Sequence, residues 1–316
     1  MNTTGSSLTF NPYITAFYIL IYLPVWIAII SGNLLVMLAF VYHKELRKVK
    51  NYFLVSLAAT DFLTGLVALP LHLVARLVVS QVTCWSSSRF IFFLPDLIFG
   101  KASAYHLLCV AIDRCLSVLR PLQYPYIVTT NRVKVFIAII WLYNIAFVCL
   151  PLHVPSLGPD EWVCAYDHQY ENEVNLLLLI TAYEIPAYVL FMILVYTYVL
   201  TISFHHIKKR RELTNSMHDK NQAIADAKAR FRGVVTMATV VGAFGICLLP
   251  TSFKLFFEIY IPATRETLIT VQTLCEYMLF LNSMLNPIIY GYLNQQFRAG
   301  FKKVLEKVKC RYVASS

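Results

Sequence analysis

Long apolar segments alternate with short polar segments along most of the chain. A helix that crosses the roughly 30 Å hydrocarbon core of a bilayer needs about 20 apolar residues. Seven segments have about that length, and they cover residues 14–42, 52–78, 90–116, 135–155, 175–204, 232–259 and 267–291. Within lipid, every backbone polar group must be bonded inside the protein. The pattern therefore predicts an all-α membrane protein, a seven-transmembrane helix bundle.

A different pattern follows the seventh segment. Phe297, Phe301, Val304 and Leu305 recur at helical spacing with lysines beside them, which predicts a helix over residues 292–309. A basic amphipathic helix of this kind lies on the inner face of a membrane and contacts its lipid. The predicted divisions are a short N-terminal segment, the helix bundle, and the amphipathic eighth helix with its tail: residues 1–12, 13–291 and 292–316.

Composition and charge agree with a lipid environment and predict an orientation. Hydrophobic residues make up 58% of the chain and charged residues only 14%, whereas soluble domains have about 25% charged residues. The net charge of +10 is spread between apolar segments, which argues against nucleic-acid binding. Most of the 27 basic residues lie after the first, third and fifth segments and in the tail. Because positive loops stay cytoplasmic, the N-terminus is predicted to be extracellular and the C-terminus cytoplasmic.

Motifs along these segments are typical of one receptor family. They are Asn33 in SGNLLV, Asp61 in SLAATD, Asp113-Arg114-Cys115, Trp141, Pro250, and Asn286-Pro287-Ile288-Ile289-Tyr290. Polar groups at membrane depth are costly in lipid and normally face the interior of a bundle. With these motifs in order along the segments, the chain resembles the rhodopsin-like G-protein-coupled receptors over nearly its whole length.

The resemblance implies a multi-pass plasma-membrane receptor that acts through a heterotrimeric G protein and is not an enzyme. Arrestin is a further candidate partner. Asp113 is expected to hold Arg114 in the inactive state, and Arg114 to meet the G protein in the active state, because its charge is permanent. The other expected activation residues are Tyr196, Asn286, Pro287 and Tyr290.

The resemblance also implies a sodium ion close to Asp61. Ser103, Asn282 and Ser283 would supply further oxygens, the ligand atoms that hard cations prefer. The alternative is that Asp61 joins the neighbouring helices through hydrogen bonds without an ion.

Candidate ligand contacts lie in the outer half of the bundle. Asp96 precedes Arg114 by 18 residues, or about 27 Å along a helix. In the aminergic receptors that this pattern resembles, the corresponding aspartate binds a protonated amine. Glu276 is expected to face the same cavity. Phe280 takes the place of the tyrosine usual in aminergic receptors, and of the lysine that binds retinal in opsins, so a retinal-linked photoreceptor is excluded.

Two further charges lie inside predicted spans and are also candidate ligand contacts. Lys101 and Glu184 would each be costly without a partner. If Tyr196, rather than Pro186, matches the family pattern of the fifth helix, Glu184 faces the third helix at the level of Lys101. We expect the two to pair. The alternative is that Lys101 or Arg89 neutralises Asp96.

Three sites of covalent modification are predicted. Cys84 and Cys164 lie in the outer loop regions, where conditions are oxidising, and the resemblance implies a disulfide between them. Asn2 begins a glycosylation sequon on the same side. Cys310 follows the amphipathic helix and is a candidate for palmitoylation.

Two departures from the family pattern bear on activation. Leu248 stands at the position of a tryptophan that is usual in the sixth helix. Arg230 stands where many members have a glutamate that pairs with the arginine of the third helix. Arg114 and Arg230 would repel each other, so measurable ligand-free activity is expected.

The leading functional interpretation is a receptor for a small cationic ligand, a biogenic or trace amine. A receptor for a nucleoside or a short peptide is the alternative. A transporter or channel is a third class, and it would predict discontinuous helices and a polar pore.

Overall fold

The computed structural model describes residues 12–77, 88–149, 171–213, 231, 235–236, 238–251, 253 and 265–315. All regular structure within these residues is helical. Asn2, Cys84, Cys164 and Arg230 lie outside the described residues, so their predicted glycosylation, disulfide and charge repulsion stay predictions. The same holds for the side chain of Arg89.

The first two predicted spans form closely packed helices. Helix α1 covers Pro12–Tyr42. After two short 3-10 turns, helix α2 covers Tyr52–Leu63. A π-helical turn, Thr64–Ala68, then leads directly into helix α3, Leu69–Leu77. The second predicted span is therefore one helical rod with an irregular turn in its middle, which its apolar periodicity did not reveal.

The next helices extend beyond their predicted limits. Helix α4 covers Ser88–Leu119, and the short helix α5 covers Tyr124–Ile127. Helix α6 covers Thr130–Cys149 and helix α7 covers Glu171–Leu213. The predicted limits followed apolar content, whereas helical hydrogen bonding continues into polar sequence outside a bilayer.

The last helices complete the described structure. Helix α8 covers Ala238–Thr251, helix α9 covers Arg265–Leu293 and helix α10 covers Gln295–Ser315. Among the described residues, four helical segments are long and apolar enough to cross a membrane: Thr15–Tyr42, Val49–Val74, Leu94–Leu119 and Tyr183–His205. Helix α8 is a shorter apolar helix within the described part of the sixth predicted span.

Helix α4 lies at the centre of the described bundle, in contact with α2, α3, α6 and α7. The largest apolar core surrounds its inner half and includes Leu57, Leu107, Met192, Phe244 and Tyr290. Large apolar side chains on α6 and α7 are exposed, among them Leu142, Leu190 and Leu194. Large exposed apolar surfaces are rare on soluble monomers and are expected of helices surrounded by lipid.

The apolar face of α10 differs from the face that the sequence predicted for lipid contact. Phe297 and Val304 are buried in the bundle core. Of the predicted apolar residues, Leu305 is exposed, and Val308, which was not predicted, is exposed beside it, at 59% each. The helix therefore has two apolar surfaces, one against α1 and α9 and one open. Linear spacing could not separate these surfaces because both recur at nearly the same period.

Candidate functional site

Asp61 lies at the centre of a buried polar network that joins three helices. Its Oδ1 accepts hydrogen bonds from Ser103 Oγ at 3.2 Å and Ser283 Oγ at 2.8 Å. Its Oδ2 accepts one from Asn286 Nδ2 at 2.7 Å. Asn33 Nδ2 adds α1 by donating to the Ser283 carbonyl at 3.1 Å. The structure thus places the predicted Ser103 and Ser283 against Asp61, whereas the predicted Asn282 lines the neighbouring cavity.

A small cavity lies beside this network. Its lining residues are Thr64, Asp96, Gly100, Phe244, Leu248, Leu279, Asn282 and Ser283. Among the described residues, Oδ1 of buried Asn282 has no hydrogen-bond partner. Leu248 places an apolar side chain in the wall of the cavity. The cavity therefore adjoins both Asp96 and the group of residues that surrounds Asp61.

A cluster of four charged or titratable side chains lies around Asp96. We call His72, Arg76, Asp96 and Glu276 the outer charge cluster. Asp96 Oδ2 lies 3.2 Å from His72 Nδ1, and His72 Nε2 lies 3.2 Å from Glu276 Oε2. Arg76 Nε donates to Glu276 Oε2 at 3.0 Å. A histidine therefore joins Asp96 and Glu276, and only Asp96 of the two is among the described residues that line the cavity.

The suggestion that Lys101 neutralises Asp96 was wrong, because Lys101 contacts Glu184 and His72 contacts Asp96. Sequence reasoning missed both His72 and Arg76. A signal was present, since they are polar residues four apart within an apolar segment. Residues four apart lie on the same face of a helix.

Aromatic rings pack behind the outer charge cluster. The Phe280 ring centroid lies 5.3 Å from that of His72 and 6.0 Å from that of Tyr22. Tyr22 also packs edge-on against Tyr277 at 5.5 Å. Phe280 is fully buried, so in this structure it supports the imidazole instead of lining the cavity.

The predicted pair between Lys101 and Glu184 is confirmed. Lys101 Nζ lies 2.6 Å from Glu184 Oε2. The hydroxyls of Tyr105 and Tyr188 both donate to Glu184 Oε1 at 2.8 Å. Lys101 also lies over the Phe147 ring, 4.1 Å from its centroid. Both charges are therefore compensated within the bundle.

The predicted contact between Asp113 and Arg114 is present near the C-terminal end of α4. Tyr124, which sequence reasoning missed, donates to Asp113 Oδ1 at 2.6 Å. Burial and the Asp113 carboxylate hold the pKa of the Tyr124 phenol well above its usual range. Tyr124 thus keeps its proton and anchors α5 to α4.

The other residues predicted to take part in activation lie in or next to the largest apolar core. Tyr196 and Tyr290 are both buried, and Tyr290 stacks on Phe297 with ring centroids 5.5 Å apart. Pro287 lies inside α9 and packs close to Gly32. Cys310, the predicted palmitoylation site, is an exposed free cysteine on α10.

Residues 32–290 match the model of the family described as 7 transmembrane receptor (rhodopsin family). The chain is 29% identical to the histamine H2 receptor of Canis lupus familiaris, over 98% of this chain and 84% of that receptor. It is 31% identical to the histamine H2 receptor of Rattus norvegicus, over 90% and 77% of the two chains. It is 26% identical to the octopamine receptor beta-2R of Chilo suppressalis, over 91% of this chain and 79% of that receptor.

Proposed function

This chain belongs to the rhodopsin family of seven-transmembrane receptors, and we propose that a protonated amine bound at Asp96 activates it. As a member, it is a multi-pass membrane protein of the plasma membrane and a signalling receptor, not an enzyme. The all-α bundle expected from the sequence is confirmed by the same match. The activated receptor passes its signal to a heterotrimeric G protein.

The environment of Asp96 is the observation that carries this proposal. Its side chain is 13% exposed and lines the cavity. Oδ1 is buried and has no hydrogen-bond partner among the described residues. A buried carboxylate oxygen without a donor is costly. An ammonium in the cavity would supply both the donor and the opposite charge.

The charges around Asp96 favour a cationic ligand. Arg76 carries a permanent positive charge and contacts Glu276. Asp96 is left facing His72, whose charge depends on a proton. An amine offers Asp96 a compact cation, and charge-assisted hydrogen bonds are among the strongest that a protein makes. The names of the relatives, histamine and octopamine receptors, refer to two amines and support the same ligand class.

The inner end of α4 supports coupling to a G protein. Arg114 is bound by Asp113, and Tyr124 occupies the other oxygen of that carboxylate. Activation would release Arg114 from Asp113 and present its guanidinium to the G protein. We further propose that the N-terminus lies outside the cell and α10 on the inner leaflet, with the exposed Leu305 in contact with lipid and a palmitoyl group on the exposed Cys310. Arrestin would bind the same inner face.

The residues around Asp61 fit a sodium ion. They provide a carboxylate, the Ser103 and Ser283 hydroxyls, and the unpartnered buried Oδ1 of Asn282 beside the cavity. These are all oxygen donors, which hard cations require. We propose that they hold sodium when the receptor is inactive.

Replacing Asp96 by asparagine tests the amine proposal. Asp96→Asn keeps the side-chain shape but removes the charge, and loss of one member of a buried charge pair costs about 2–5 kcal/mol. The potency of octopamine or histamine, measured by second-messenger assay at equal surface expression, should fall by roughly 30-fold or more. An exposed carboxylate on α10 provides the control, and Glu306→Gln should leave potency unchanged.

An amine agonist with the same potency on Asp96→Asn as on the original receptor would refute the proposal. The assay panel should include nucleosides and short peptides. A response to one of these, with no response to any amine, would transfer the assignment to that ligand class.

A further inference from the structure

His72 occupies the position between the two carboxylates of the outer charge cluster. Its side chain is only 1% exposed. Nδ1 lies 3.2 Å from Asp96 Oδ2, within hydrogen-bonding geometry, and Nε2 lies 3.2 Å from Glu276 Oε2. Both ring nitrogens therefore lie 3.2 Å from a carboxylate oxygen, the Nδ1 contact as a hydrogen bond and the Nε2 contact as an ion-pair distance outside hydrogen-bond geometry.

This arrangement distinguishes the charge states of the ring. A neutral imidazole carries a hydrogen on one nitrogen and a lone pair on the other. In that state, one lone pair would lie 3.2 Å from a carboxylate oxygen with no proton between them. An imidazolium has a hydrogen on both nitrogens, so it can donate to Asp96 and pair with the charge of Glu276. The geometry thus matches the charged ring.

The other groups around the ring agree with a positive His72. Glu276 on α9 lies next to the imidazole, and Arg76, one helical turn after His72 on α3, binds the same Glu276 oxygen. Asp96 contacts the imidazole from α4. From α1, the Tyr22 ring centroid lies 6.2 Å away. With His72 protonated, two cations balance two carboxylates.

We propose that His72 is the resting counter-ion of Asp96, and that an amine binding at Asp96 displaces it, so that acid opposes activation by the amine. This inference rests on the proposed function. The ammonium forms the new ion pair with Asp96, the Nδ1–Asp96 contact is lost, and His72 releases one proton to solvent. The net charge is zero before the exchange for the four residues of the cluster, and zero after it for the same residues together with the bound ammonium.

A histidine is the side chain suited to this exchange. A lysine or arginine at position 72 would hold Asp96 with a charge that is not given up near neutral pH. A glutamine would offer no charge at all. Imidazole is the side chain whose charge ordinarily changes between pH 5 and 8. The receptor would therefore respond less to a given amine in an acidified medium.

The direct test is octopamine potency between pH 7.5 and pH 6.0. An aliphatic ammonium stays protonated throughout this range. If binding releases one proton, the half-effective concentration should rise as pH falls, by up to tenfold per pH unit. His72→Gln retains a donor for Asp96 but does not titrate, so its potency should be nearly independent of pH.

A second buried histidine serves as the matched control. His106 lies on α4, where its ring nitrogens contact the Ser56 hydroxyl at 2.7 Å and the Ala102 carbonyl at 2.6 Å. His106→Gln should keep the full pH dependence of octopamine potency. Glu276→Gln removes one carboxylate from His72, so the half-effective concentration of octopamine should begin to rise only at a lower pH. This variant provides a second readout if His72→Gln fails to reach the cell surface.

A readout without ligand makes the inference testable independently of the amine proposal. Nitrogen-15 NMR of the histidine-labelled receptor at pH 7.5 should show an imidazolium signal that His72→Gln removes. Adding octopamine should convert it to a neutral-ring signal. A neutral His72 in the ligand-free receptor would overturn the inference.

The two proposals fail in different ways. If octopamine potency depends on Asp96 but not on pH, the amine function stands and the exchange at His72 is refuted. If no amine requires Asp96, the proposed function fails. In that case an imidazolium signal that octopamine leaves unchanged would refute the exchange as well.

Discussion

Two buried aspartates show how the same side chain serves different purposes. Asp61 receives hydrogen bonds from Ser103, Ser283 and Asn286, so both of its oxygens have donors. One oxygen of Asp96 contacts His72, while the other has no donor among the described residues. In this structure Asp61 therefore joins helices, whereas Asp96 has one oxygen that can accept from a ligand without displacing a described donor.

Removing either member of the Lys101–Glu184 pair should reduce surface expression. Each single change, Lys101→Ala or Glu184→Ala, leaves a buried charge without its partner, at a cost of about 3–5 kcal/mol. Removing both charges should recover part of the expression, as measured by surface antibody staining. Independent, additive losses in the double variant would show that the two residues do not act as a pair.

An exposed ion pair gives the scale for comparison. Lys302 and Glu306 lie 3.9 Å apart on α10, with side chains 80% and 61% exposed. Exposed pairs contribute at most about 1 kcal/mol. Glu306→Ala should therefore leave surface expression close to that of the original receptor.

Replacing sodium in the medium tests the site around Asp61. If the ion favours the inactive state, exchanging sodium for choline at constant ionic strength should increase octopamine affinity severalfold in radioligand competition. Asp61→Asn removes the negative charge and should abolish that dependence. Equal sodium sensitivity in the variant and the original receptor would argue for a hydrogen-bonded network without an ion.

At the scale of elements, the π-helical turn between α2 and α3 decides which residues face the bundle. Such a turn inserts an extra residue, and each residue rotates the following helix by about 100°. The turn Thr64–Ala68 therefore sets the direction of His72 and Arg76. Both side chains point to the outer charge cluster as a result.

Close packing at this turn should make Gly65 sensitive to substitution. A Cβ there would lie 2.8 Å from Ile29 Cγ2 and 3.0 Å from Ile30 Cγ1, so the buried Ile29 side chain, or α1 with it, would have to shift. Gly65→Ala should reduce stability by about 1–3 kcal/mol, seen as a lower unfolding temperature of the solubilised receptor.

Gly242 on α8 is the control for that change. A Cβ there would meet nothing within 4 Å in the described structure. In a helix, alanine is more stable than glycine by up to about 1 kcal/mol. Gly242→Ala should leave the unfolding temperature unchanged or slightly higher. Equal destabilisation by the two changes would mean that packing against α1 is not the cause.

At the scale of the whole molecule, α4 links the proposed ligand site with the proposed G-protein site. The same helix carries Asp96, Ser103, Asp113 and Arg114. It also contacts four other helices of the bundle. A movement of α4 at the outer charge cluster would therefore reach both the network of Asp61 and the inner contact between Asp113 and Arg114.

The orientation of the whole receptor can be tested with epitope tags at its two ends. The concentration of basic residues in alternate loops predicts an extracellular N-terminus. An N-terminal tag should stain on intact cells, and a C-terminal tag only after permeabilisation. Staining of the C-terminal tag on intact cells would reverse the orientation.

The amino-acid sequence alone was sufficient for the class of fold, the receptor family and the residues around Asp61. Lipid requires long apolar helices, and this requirement leaves a signal that can be counted along the chain. The motifs on those helices indicated which polar residues face inward. The pair between Lys101 and Glu184 also followed from sequence, because two charges at membrane depth each need a partner.

The tertiary structure alone decided the partner of Asp96. His72 reaches it because the π-helical turn changes the rotation of α3, and apolar periodicity does not record an inserted turn. The two apolar surfaces of α10 likewise depend on which side packs against the bundle. Such details depend on the relative rotation and depth of packed helices, which are set by contacts between residues far apart in the chain.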